Sequence, residues 1–312
     1  MTNLGTGPAH LDFQQPITFI TGYPRSGTTL LANQLNQLQD VCVGPETQYY
    51  CKAFKQLKTA RSGRQFMQVL SGDNRLQDFG LDPSELVDAA RDSGFDRNRL
   101  LSAFLRRHAA LQGVEAPAIL VEKSPAHILH TRKILECHPL ATFIYLVKDP
   151  RDVVSSNLRM DWTHSNVPKH CAAWNMYNDA FMRLHRQYPD RVHLLRFEDL
   201  VTALRLQIRQ ICQFLDIPYS PVEGKAASAV PDWESAWKAT SAGEIDPGKA
   251  YSWQRDNCQK QHQLVSAMTR KYRAIFRYDR EPEGSKLRFL PRAWAYNSPA
   301  YRSILRFRRV YL

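Results

Sequence analysis

The sequence predicts an α/β protein in which a parallel β-sheet is flanked by helices, and three observations lead to this class. An apolar run at residues 17–21 breaks at a turn of small residues and is followed by leucines at helical spacing. From residue 118 onward, short apolar runs alternate with segments of helical periodicity, a pattern typical of crossover connections between parallel strands. Charged and hydroxyl residues come directly after these runs, at the strand ends where α/β sheets bind ligands.

The first predicted strand leads into the turn Gly22-Tyr23-Pro24-Arg25-Ser26-Gly27-Thr28-Thr29 and then into a helix. Backbone N–H groups at a helix start lack partners and lie at the positive end of the helix dipole, so such a loop can bind phosphate or sulfate. In the nucleotide-binding P-loop, a Lys that contacts the terminal phosphates would stand at the position of Thr28. Its absence argues against an ATP or GTP hydrolase. An anion-binding loop of another kind and a tight turn without a ligand both remain open.

A second short strand at 41–43 is closed by Gly44-Pro45, and Glu46 follows directly. Only helical periodicity is visible between residues 49 and 113, where Asp82-Pro83-Ser84-Glu85 is typical of a helix N-terminus. A helical block between two strands predicts an insertion that covers a site.

Three further strands are predicted at 118–121, 141–147 and 192–197. They end in the charged segments Glu122-Lys123-Ser124-Pro125, Lys148-Asp149-Pro150-Arg151-Asp152 and Glu198-Asp199-Leu200. Helices are expected up to Cys137, from Val153, over 170–188 and up to Leu215. Because the carboxyl ends of parallel strands meet at one edge of a sheet, we expect the charged segments to lie together.

The chain has 312 residues, 43% of them hydrophobic, and a formal net charge of +12. These values predict a single domain over 1–312, with a polar N-terminal arm at 1–16 and a basic C-terminal tail at 284–312. The charge indicates anionic partners, but the basic residues are spread over loops and the tail, which argues against a nucleic-acid-binding module. The aromatic residues of the tail suit burial, either on the protein's own acidic face or against the second subunit of a homodimer.

The six cysteines, at positions 42, 51, 137, 171, 212 and 258, form no Cys-x-x-Cys pair. No secretory segment and no apolar run of membrane-spanning length is visible in this sequence. We therefore expect reduced thiols and a cytoplasmic protein without stable membrane insertion, unless an anchor lies outside this sequence.

Several of these segments, in this order, resemble the sulfotransferases that use 3′-phosphoadenosine 5′-phosphosulfate (PAPS). The matching segments are Tyr23 to Thr29, Val147 to Ser156, Leu195 to Val201 and Pro247 to Trp253. The resemblance implies a P-loop NTPase-like sulfotransferase fold and a PAPS-dependent enzyme. Gly44-Pro45-Glu46-Thr47 is similar to the segment that carries a glutamate base in the tyrosylprotein, bacterial and glycan types, whereas the cytosolic small-molecule type uses a histidine further along.

The resemblance also implies which residues bind the donor. The 5′-phosphosulfate would be held by Arg25, Ser26, Gly27, Thr28 and Thr29. Lys148 and Ser156 stand at the positions that bind the 3′-phosphate, where most members have Arg in place of Lys148. Because Lys lacks the bidentate geometry of Arg, Arg151 is expected to compensate. Lys249 is a further expected ligand of the 3′-phosphate, and Phe197 stands near the adenine, where many members have Tyr.

Sulfuryl transfer needs in-line positioning, charge stabilisation and deprotonation of the acceptor. Arg25 and Lys123 are the expected catalytic cations, and the resemblance implies that Lys123 stabilises the bridging oxygen of the leaving nucleotide; a surface lysine is the alternative. Glu46 is the expected base, because a carboxylate beside bound sulfate and nucleotide would have a raised pKa; a helix N-terminal acid is the alternative. His108 and His127 are rival bases. No metal is expected, since no cluster at metal-ligand spacing is visible.

The sequence thus predicts sulfuryl transfer from PAPS to a hydroxyl or amine of a glycan, a small metabolite or a peptide tyrosine. The alternatives are an ATP-dependent kinase on a related phosphate-loop fold and a non-catalytic basic module that binds anions. Residues 52–113 and 216–249 are expected to shape the acceptor pocket. Candidate sugar or aromatic contacts, which core packing explains equally well, are Trp162, Trp233 and Trp237.

Overall fold

A computed structural model describes residues 15–60, 62–72, 83–114, 116–222, 245–256, 258–278 and 298. The N-terminal arm up to residue 14 and the basic tail, apart from residue 298, lie outside the described residues. So do Trp233 and Trp237, whereas Trp162 is described and half-buried.

The strands are β1 (Ile17–Gly22), β2 (Val41–Val43), β3 (Ile119–Lys123), β4 (Thr142–Val147) and β5 (Val192–Arg196). They form one sheet in the order β2-β3-β1-β4-β5. β2 runs parallel to β3 with Val41 opposite Ile119, and β4 runs parallel to β5 with Phe143 opposite Val192. Every residue of β1 and all but the first of β4 are buried, which explains why these strands are continuous apolar runs. The predicted parallel sheet flanked by helices is confirmed.

The α-helices of the described part are α1 (Thr28–Asn36), α2 (Ala53–Gln56), α3 (Gly63–Ser71), α4 (Pro83–Asp92), α5 (Leu100–Leu111), α6 (Thr131–Cys137), α7 (Pro150–Leu158), α8 (Val167–Gln187), α9 (Phe197–Thr202), α10 (Leu204–Phe214), α11 (Gln259–Met268) and α12 (Arg270–Ile275). Short 3₁₀ helices lie at Leu57–Thr59, Pro125–His130, Pro189–Arg191, Pro247–Lys249 and Ser252–Arg255. Within 49–113, the described residues form helices and their connections and no strand, as predicted for the helical insertion.

Several helix boundaries differ from the prediction, and one of these helices, α8, covers Val167–Gln187 in place of 170–188. α7 begins at Pro150 and not at Val153, because the Asp149 side chain accepts the N–H of Arg151 and proline suits the first helical position. The long helix predicted up to Leu215 is divided into α9 and α10, since Ala203 leaves the helical conformation, with φ of −138° and ψ of 43°.

Contacts within the chain group it into two compact units, residues 1–19, 32–142 and 220–236 in the first and residues 20–31, 143–219 and 237–312 in the second. In the first unit, the Tyr50 ring packs edge-on against Phe19 and His127. In the second unit, side chains from α7, α8 and α11 form a buried cluster that consists of Val154, Cys171, Val265 and Met268. The single domain over the whole chain stays a prediction.

No helix within the described ranges is long and apolar enough to cross a membrane. All six cysteines lie in the described part, and none of them forms a disulfide there. The expected reduced state stays a prediction.

Candidate active site

Residues 22–29, which we call the anion loop, begin with a tight turn. The Ser26 N–H donates to the Tyr23 carbonyl at 3.2 Å, so Pro24 and Arg25 occupy the two central positions. Arg25 has a φ of 72°, the left-handed conformation that a type II turn requires at its third residue. A non-glycine residue in this conformation costs about 1–2 kcal/mol, and such strain is typical of functional sites.

The two glycines of the anion loop are needed because other groups approach the backbone closely. A Cβ at Gly22 would lie 2.4 Å from the carbonyl oxygen of Leu146 in β4. A Cβ at Gly27, whose φ is +95°, would lie 2.4 Å from Cδ2 of Phe197. The loop is therefore in direct contact with β4 and with the first residue of α9.

Two side chains from α7 and α8 fix the start of the anion loop. The Tyr23 hydroxyl lies 2.9 Å from Nδ1 of His170, and Nε2 of the same ring donates to the His164 carbonyl at 2.9 Å. Nδ1 therefore accepts the hydroxyl proton, in keeping with burial that lowers the pKa of His170 to about 4 and leaves the ring neutral. Nδ2 of Asn157 donates to the Pro24 carbonyl at 3.2 Å.

Arg25 and Ser156, which the family resemblance assigns to opposite ends of the donor, are in contact. Arg25 Nε donates to Ser156 Oγ at 3.2 Å. Burial, together with the nearby charge of Arg159, lowers the pKa of the Arg25 guanidinium. Arg159, at the end of α7, is an exposed cation that the sequence analysis missed; its position three residues after Ser156 was the available signal. Two neighbouring cations favour an anion here.

Lys148 and Ser26 are buried polar groups that lack hydrogen-bonding or ionic partners among the described residues. The Lys148 side chain follows β4, is 9% exposed, and has its Nζ 3.9 Å from the centre of the Phe197 ring. Burial lowers the pKa of Lys148, although the charges of Asp152 and Glu198 oppose this shift. The Ser26 hydroxyl is fully buried without a hydrogen-bond partner in the described part of the chain. Because buried polar groups are normally satisfied, these two fit a phosphate or sulfate ligand.

Arg151 does not compensate for the lysine at position 148, contrary to the expectation. Arg151 and Asp149 are both 0% exposed and form a bidentate ion pair, with Nε to Oδ1 at 2.8 Å and Nη2 to Oδ2 at 2.6 Å. The Arg151 guanidinium is thus paired with Asp149 inside the protein, because an unpaired charge at this depth would be costly.

The segment that carries Lys249 is tied to α7 and β5. Asp152 Oδ1 accepts from the Ser252 hydroxyl at 2.7 Å and from the Trp253 N–H at 2.6 Å. The Tyr251 hydroxyl accepts from Nη2 of Arg196, the last residue of β5, at 2.7 Å. Lys249 is half-buried at the end of its 3₁₀ helix. Its contact with the 3′-phosphate stays a prediction, as does the place of Phe197 beside the adenine.

Glu198 is a buried carboxyl group directly after Phe197. Its Oε1 accepts the Asp149 N–H at 3.0 Å and its Oε2 accepts the Tyr278 hydroxyl at 2.7 Å. Burial raises the pKa of Glu198 to about 7, while the two hydrogen bonds counteract part of this shift. Glu198 thus holds the end of β4 in place directly after Lys148.

In the first unit, the proposed base and the proposed catalytic lysine form an ion pair. Nζ of Lys123 lies 2.7 Å from Oε2 of Glu46, and Gln48 Nε2 donates to Oε1 at 3.1 Å. The two charged side chains are 6% and 13% exposed. Lys123 is therefore not a surface lysine, and Glu46 does not begin a helix, because α2 starts only at Ala53.

A fully buried carboxylate, Glu122, lies behind this pair and was missed as a functional candidate. It accepts from the Thr47 and Ser124 hydroxyls at 2.7 and 2.6 Å and contacts Nδ1 of His127 at 2.7 Å. His127 Nε2 accepts the N–H of Tyr50 at 3.2 Å, so Nδ1 carries the ring proton and donates it to Glu122. A carboxylate directly after the apolar run 119–121 was the available signal for this network. The rival base His127 is thus a packed residue.

The structure brings together most of the predicted residues within each unit. In the second unit, the anion loop contacts Phe197 and Ser156, and Phe197 contacts Lys148. In the first unit, Glu46 meets Lys123. The other rival base, His108, is buried within α5. That all these strand ends meet at one edge of the sheet stays a prediction. Among the described residues, no group of three or more His, Cys, Asp and Glu side chains is arranged to hold a metal ion.

Comparisons with known proteins agree with the resemblance. A model described as the sulfotransferase family matches residues 16–221. The chain is 27% identical to a protein-tyrosine sulfotransferase of Drosophila melanogaster over 213 residues, covering 66% of this chain and 39% of that protein. It is 29% identical to protein-tyrosine sulfotransferase 1 of Danio rerio over 225 residues, covering 70% of this chain and 58% of that protein. The matched region is therefore less than two thirds of either relative's length.

Among solved structures, the sulfotransferase domain from the Synechococcus PCC 7002 olefin synthase matches with a TM-score of 0.57 at 23% identity. This match covers 85% of the present chain and 95% of that domain, and it shows a common fold. The family model, which covers more than half of the chain, adds the identity of the family. The chain belongs to the sulfotransferase family, a family of transferase enzymes.

Proposed function

We propose that this chain transfers a sulfuryl group from PAPS to a hydroxyl group of an acceptor, without a metal ion. The observation that carries the proposal is the Lys148 ammonium, which is buried against the Phe197 ring with no carboxylate partner in the described part of the chain. A buried cation without a direct ion pair is costly, because the charges of Asp152 and Glu198 offset its burial only in part, and an anionic ligand lowers that cost. The charge of Arg25 acts on Lys148, and Arg25 in turn contacts Ser156; both are donors of the kind that bind phosphate and sulfate.

Within this proposal, the anion loop binds the 5′-phosphosulfate of the donor. The loop residues with this role are Arg25, Ser26, Gly27, Thr28 and Thr29, of which Thr28 and Thr29 begin α1. A helix start supplies unpaired N–H groups and a favourable dipole for such an anion. The 3′-phosphate is assigned to Lys148 and Ser156, with Lys249 as a third ligand and Phe197 beside the adenine.

Glu46 and Lys123 supply the proton chemistry. Glu46 takes the proton of the acceptor hydroxyl while the new O–S bond forms, and Lys123, with Arg25, stabilises the negative charge left on the departing 5′-phosphate oxygen. PAPS supplies the activated sulfuryl group, and adenosine 3′,5′-bisphosphate (PAP) is the second product. The contact between Lys123 and Glu46 supports this division of labour, because it places a carboxylate and an ammonium group side by side.

A peptide tyrosine is the first acceptor to test. The relatives named as protein-tyrosine sulfotransferases support this choice, although they share only 27% and 29% identity with the chain. Glycan and small-metabolite hydroxyls and amines remain the other acceptors of the proposal. The cytoplasmic location and the homodimer also stay predictions.

Thermal unfolding with PAP tests the donor site. We expect PAP to stabilise the protein by about 2.7 kcal/mol at a concentration one hundred times its Kd. Adenosine 5′-monophosphate, which lacks the 3′-phosphate, should stabilise it much less. A PAP effect no larger than that of the monophosphate would contradict the assignment of Lys148 and Ser156.

Transfer is tested with ³⁵S-labelled PAPS, a metal chelator, and a panel of tyrosine peptides, oligosaccharides, phenols and amines. We expect labelled acceptor to form in the presence of the chelator. Transfer of phosphate from ATP with Mg²⁺ would instead support the kinase alternative. Salt-sensitive binding to DNA without any response to PAP would support the non-catalytic basic module.

A further inference from the structure

We propose that Glu122 is a positioning residue that holds the Glu46 carboxylate and the Lys123 ammonium together as a pair. This inference rests on the proposed function, in which Glu46 and Lys123 act at the reacting oxygens. Glu122 itself does not belong to that pair, since the described contacts of its carboxylate are to Thr47, Ser124 and His127.

The position of Glu122 in the chain connects the two halves of the pair. One of the residues that donate to its Oε1, Thr47, directly follows Glu46, with the hydroxyl at 2.7 Å and the N–H at 3.4 Å. Another, Ser124, directly follows Lys123, with its hydroxyl at 2.6 Å. A single carboxylate oxygen therefore holds the backbone on both sides of the 2.7 Å contact between Glu46 and Lys123.

The two hydroxyl groups also accept hydrogen bonds from the backbone that follows Glu46. Ser124 Oγ accepts the N–H of Gln48 at 2.8 Å, and Thr47 Oγ1 accepts the N–H of Tyr49 at 3.0 Å. Each hydroxyl can accept these bonds because its own proton points to Glu122. Since Gln48 also donates to Glu46, loss of the Glu122 charge would release the turn that carries the proposed base.

A neutral amide cannot take the place of this carboxylate. On one side, Oε1 faces donors from Thr47 and Ser124. On the other side, Oε2 faces the Nδ1 proton of His127, whose Nε2 is needed as the acceptor for the Tyr50 N–H. An amide NH₂ group would meet a donor on either side, so Glu122→Gln breaks at least one of these hydrogen bonds while it preserves the shape of the side chain.

The reactivity of the Lys123 amine reports whether the Glu46–Lys123 ion pair is intact, and it needs no transferase assay. A short pulse of acetic anhydride followed by peptide mass spectrometry gives the acetylation rate of Lys123 in the folded protein. We expect slow acetylation in the wild type, where Lys123 is 6% exposed and paired, and a rate at least threefold higher in Glu122→Gln. Glu46→Gln, which removes the partner directly, is the positive control.

Two further variants separate positioning from general loss of stability. Leu101→Ala removes a fully buried side chain of α5 in the same unit and should lower the unfolding midpoint without changing Lys123 acetylation. Ser124→Ala removes the hydroxyl that donates to Glu122 and accepts from Gln48, but it leaves the bonds of Glu122 to Thr47 and His127 in place. We therefore expect it to raise the acetylation rate by less than Glu122→Gln does. If Glu122→Gln does not fold, Ser124→Ala still tests the proposal.

Kinetics then connect the pair to transfer. Glu122→Gln should lower kcat at least tenfold, because displacement of a catalytic group by less than an ångström has effects of this size, while the Kd for PAP stays within twofold of the wild type. Unchanged acetylation of Lys123 in both Glu122→Gln and Ser124→Ala, or an equal rise in Leu101→Ala, would overturn the proposal. If the wild type transfers no sulfate to any acceptor, the proposed function fails, and the acetylation rates still decide whether Glu122 holds the pair.

Discussion

Arg25 Nε lies 3.2 Å from Ser156 Oγ, although the two residues are 131 positions apart in the chain. The loop after β1 and the helix after β4 are thus joined by a contact between a donor-rich turn and a helical hydroxyl. In the proposed function, these side chains bind opposite ends of the donor nucleotide. Burial, with a smaller contribution from the charge of Arg25, lowers the pKa of Lys148, which belongs to the same group of side chains.

Replacement of Lys148 by methionine should separate stability from donor binding. Lys148→Met removes a buried charge that has no carboxylate partner among the described residues, so the ligand-free protein should unfold at a higher temperature. The Kd for PAP should rise roughly thirty-fold, equivalent to about 2 kcal/mol for a lost charged hydrogen bond. Calorimetric titration and thermal unfolding measure both effects. Lys148→Arg is the charge-preserving control, and unchanged PAP affinity in Lys148→Met would contradict the assignment.

Replacement of Gly27 by alanine should damage the anion loop. The added Cβ would lie 2.4 Å from the Phe197 ring, and the φ of +95° is unfavourable for any other residue. We expect a loss of roughly 1–3 kcal/mol of unfolding free energy, together with weaker PAP binding. In the double variant with Phe197→Ala, the steric part of the loss should be relieved, so the two changes should be less than additive. Strict additivity in a double-mutant cycle would show that Phe197 is not the obstacle.

Replacement of Glu46 tests the base. Glu46→Gln should lower kcat at least one-hundred-fold, since general-base catalysis contributes factors of about 10² to 10⁴. PAP should still stabilise the variant, because the donor is assigned to residues of the second unit. Glu46→Asp keeps the carboxylate and should retain more activity than Glu46→Gln. Full activity of Glu46→Gln with a tyrosine peptide would sink the assignment.

The stability of the protein should depend on the protonation of Glu198. The pKa of this buried carboxyl is raised from an ordinary value of 4.5 to about 7, so the folded state keeps a proton that the unfolded state releases between these values. The contribution of Glu198 to the free energy of unfolding is complete below pH 4.5 and is lost as the pH rises through 7, with an amplitude of about 3 kcal/mol. Glu198→Gln should lack this decline.

Five histidines act in the opposite direction in the same experiment, and for two of them, His164 and His193, burial lowers the pKa by a smaller amount. Burial lowers the pKa of His130 to about 3 and the pKa values of His138 and His170 to about 4. The unfolded state therefore binds more protons at these positions between pH 4 and 6.5, and stability rises with pH there. The Glu198 effect is the difference between the wild-type and Glu198→Gln denaturation curves. If the unfolding free energies of the wild type and Glu198→Gln changed in parallel from pH 4.5 to 7, the predicted effect of Glu198 would be contradicted.

Much of the fold follows from local pattern. Apolar runs predicted all five strands, and the turn 22–29 with the leucines behind it predicted a strand, an anion loop and a helix. These features are visible in the sequence because strand and helix periodicity and turn chemistry depend on residues close together in the chain. The helix start at Pro150 was missed by three residues although its Asp-Pro signal is local.

The pairing of charges depended on tertiary structure. The sequence by itself determined that Glu46, Lys123, Lys148 and Arg151 follow predicted strands. Only the fold decided that Arg151 forms an ion pair with Asp149 and that Lys148 is buried without such a partner in the described chain. The fold also decided that Glu46 pairs with Lys123, which lies 77 positions further along the chain. Whether a charge is solvated, paired or left for a ligand is set by burial and by neighbours from distant parts of the chain, and no local pattern records either.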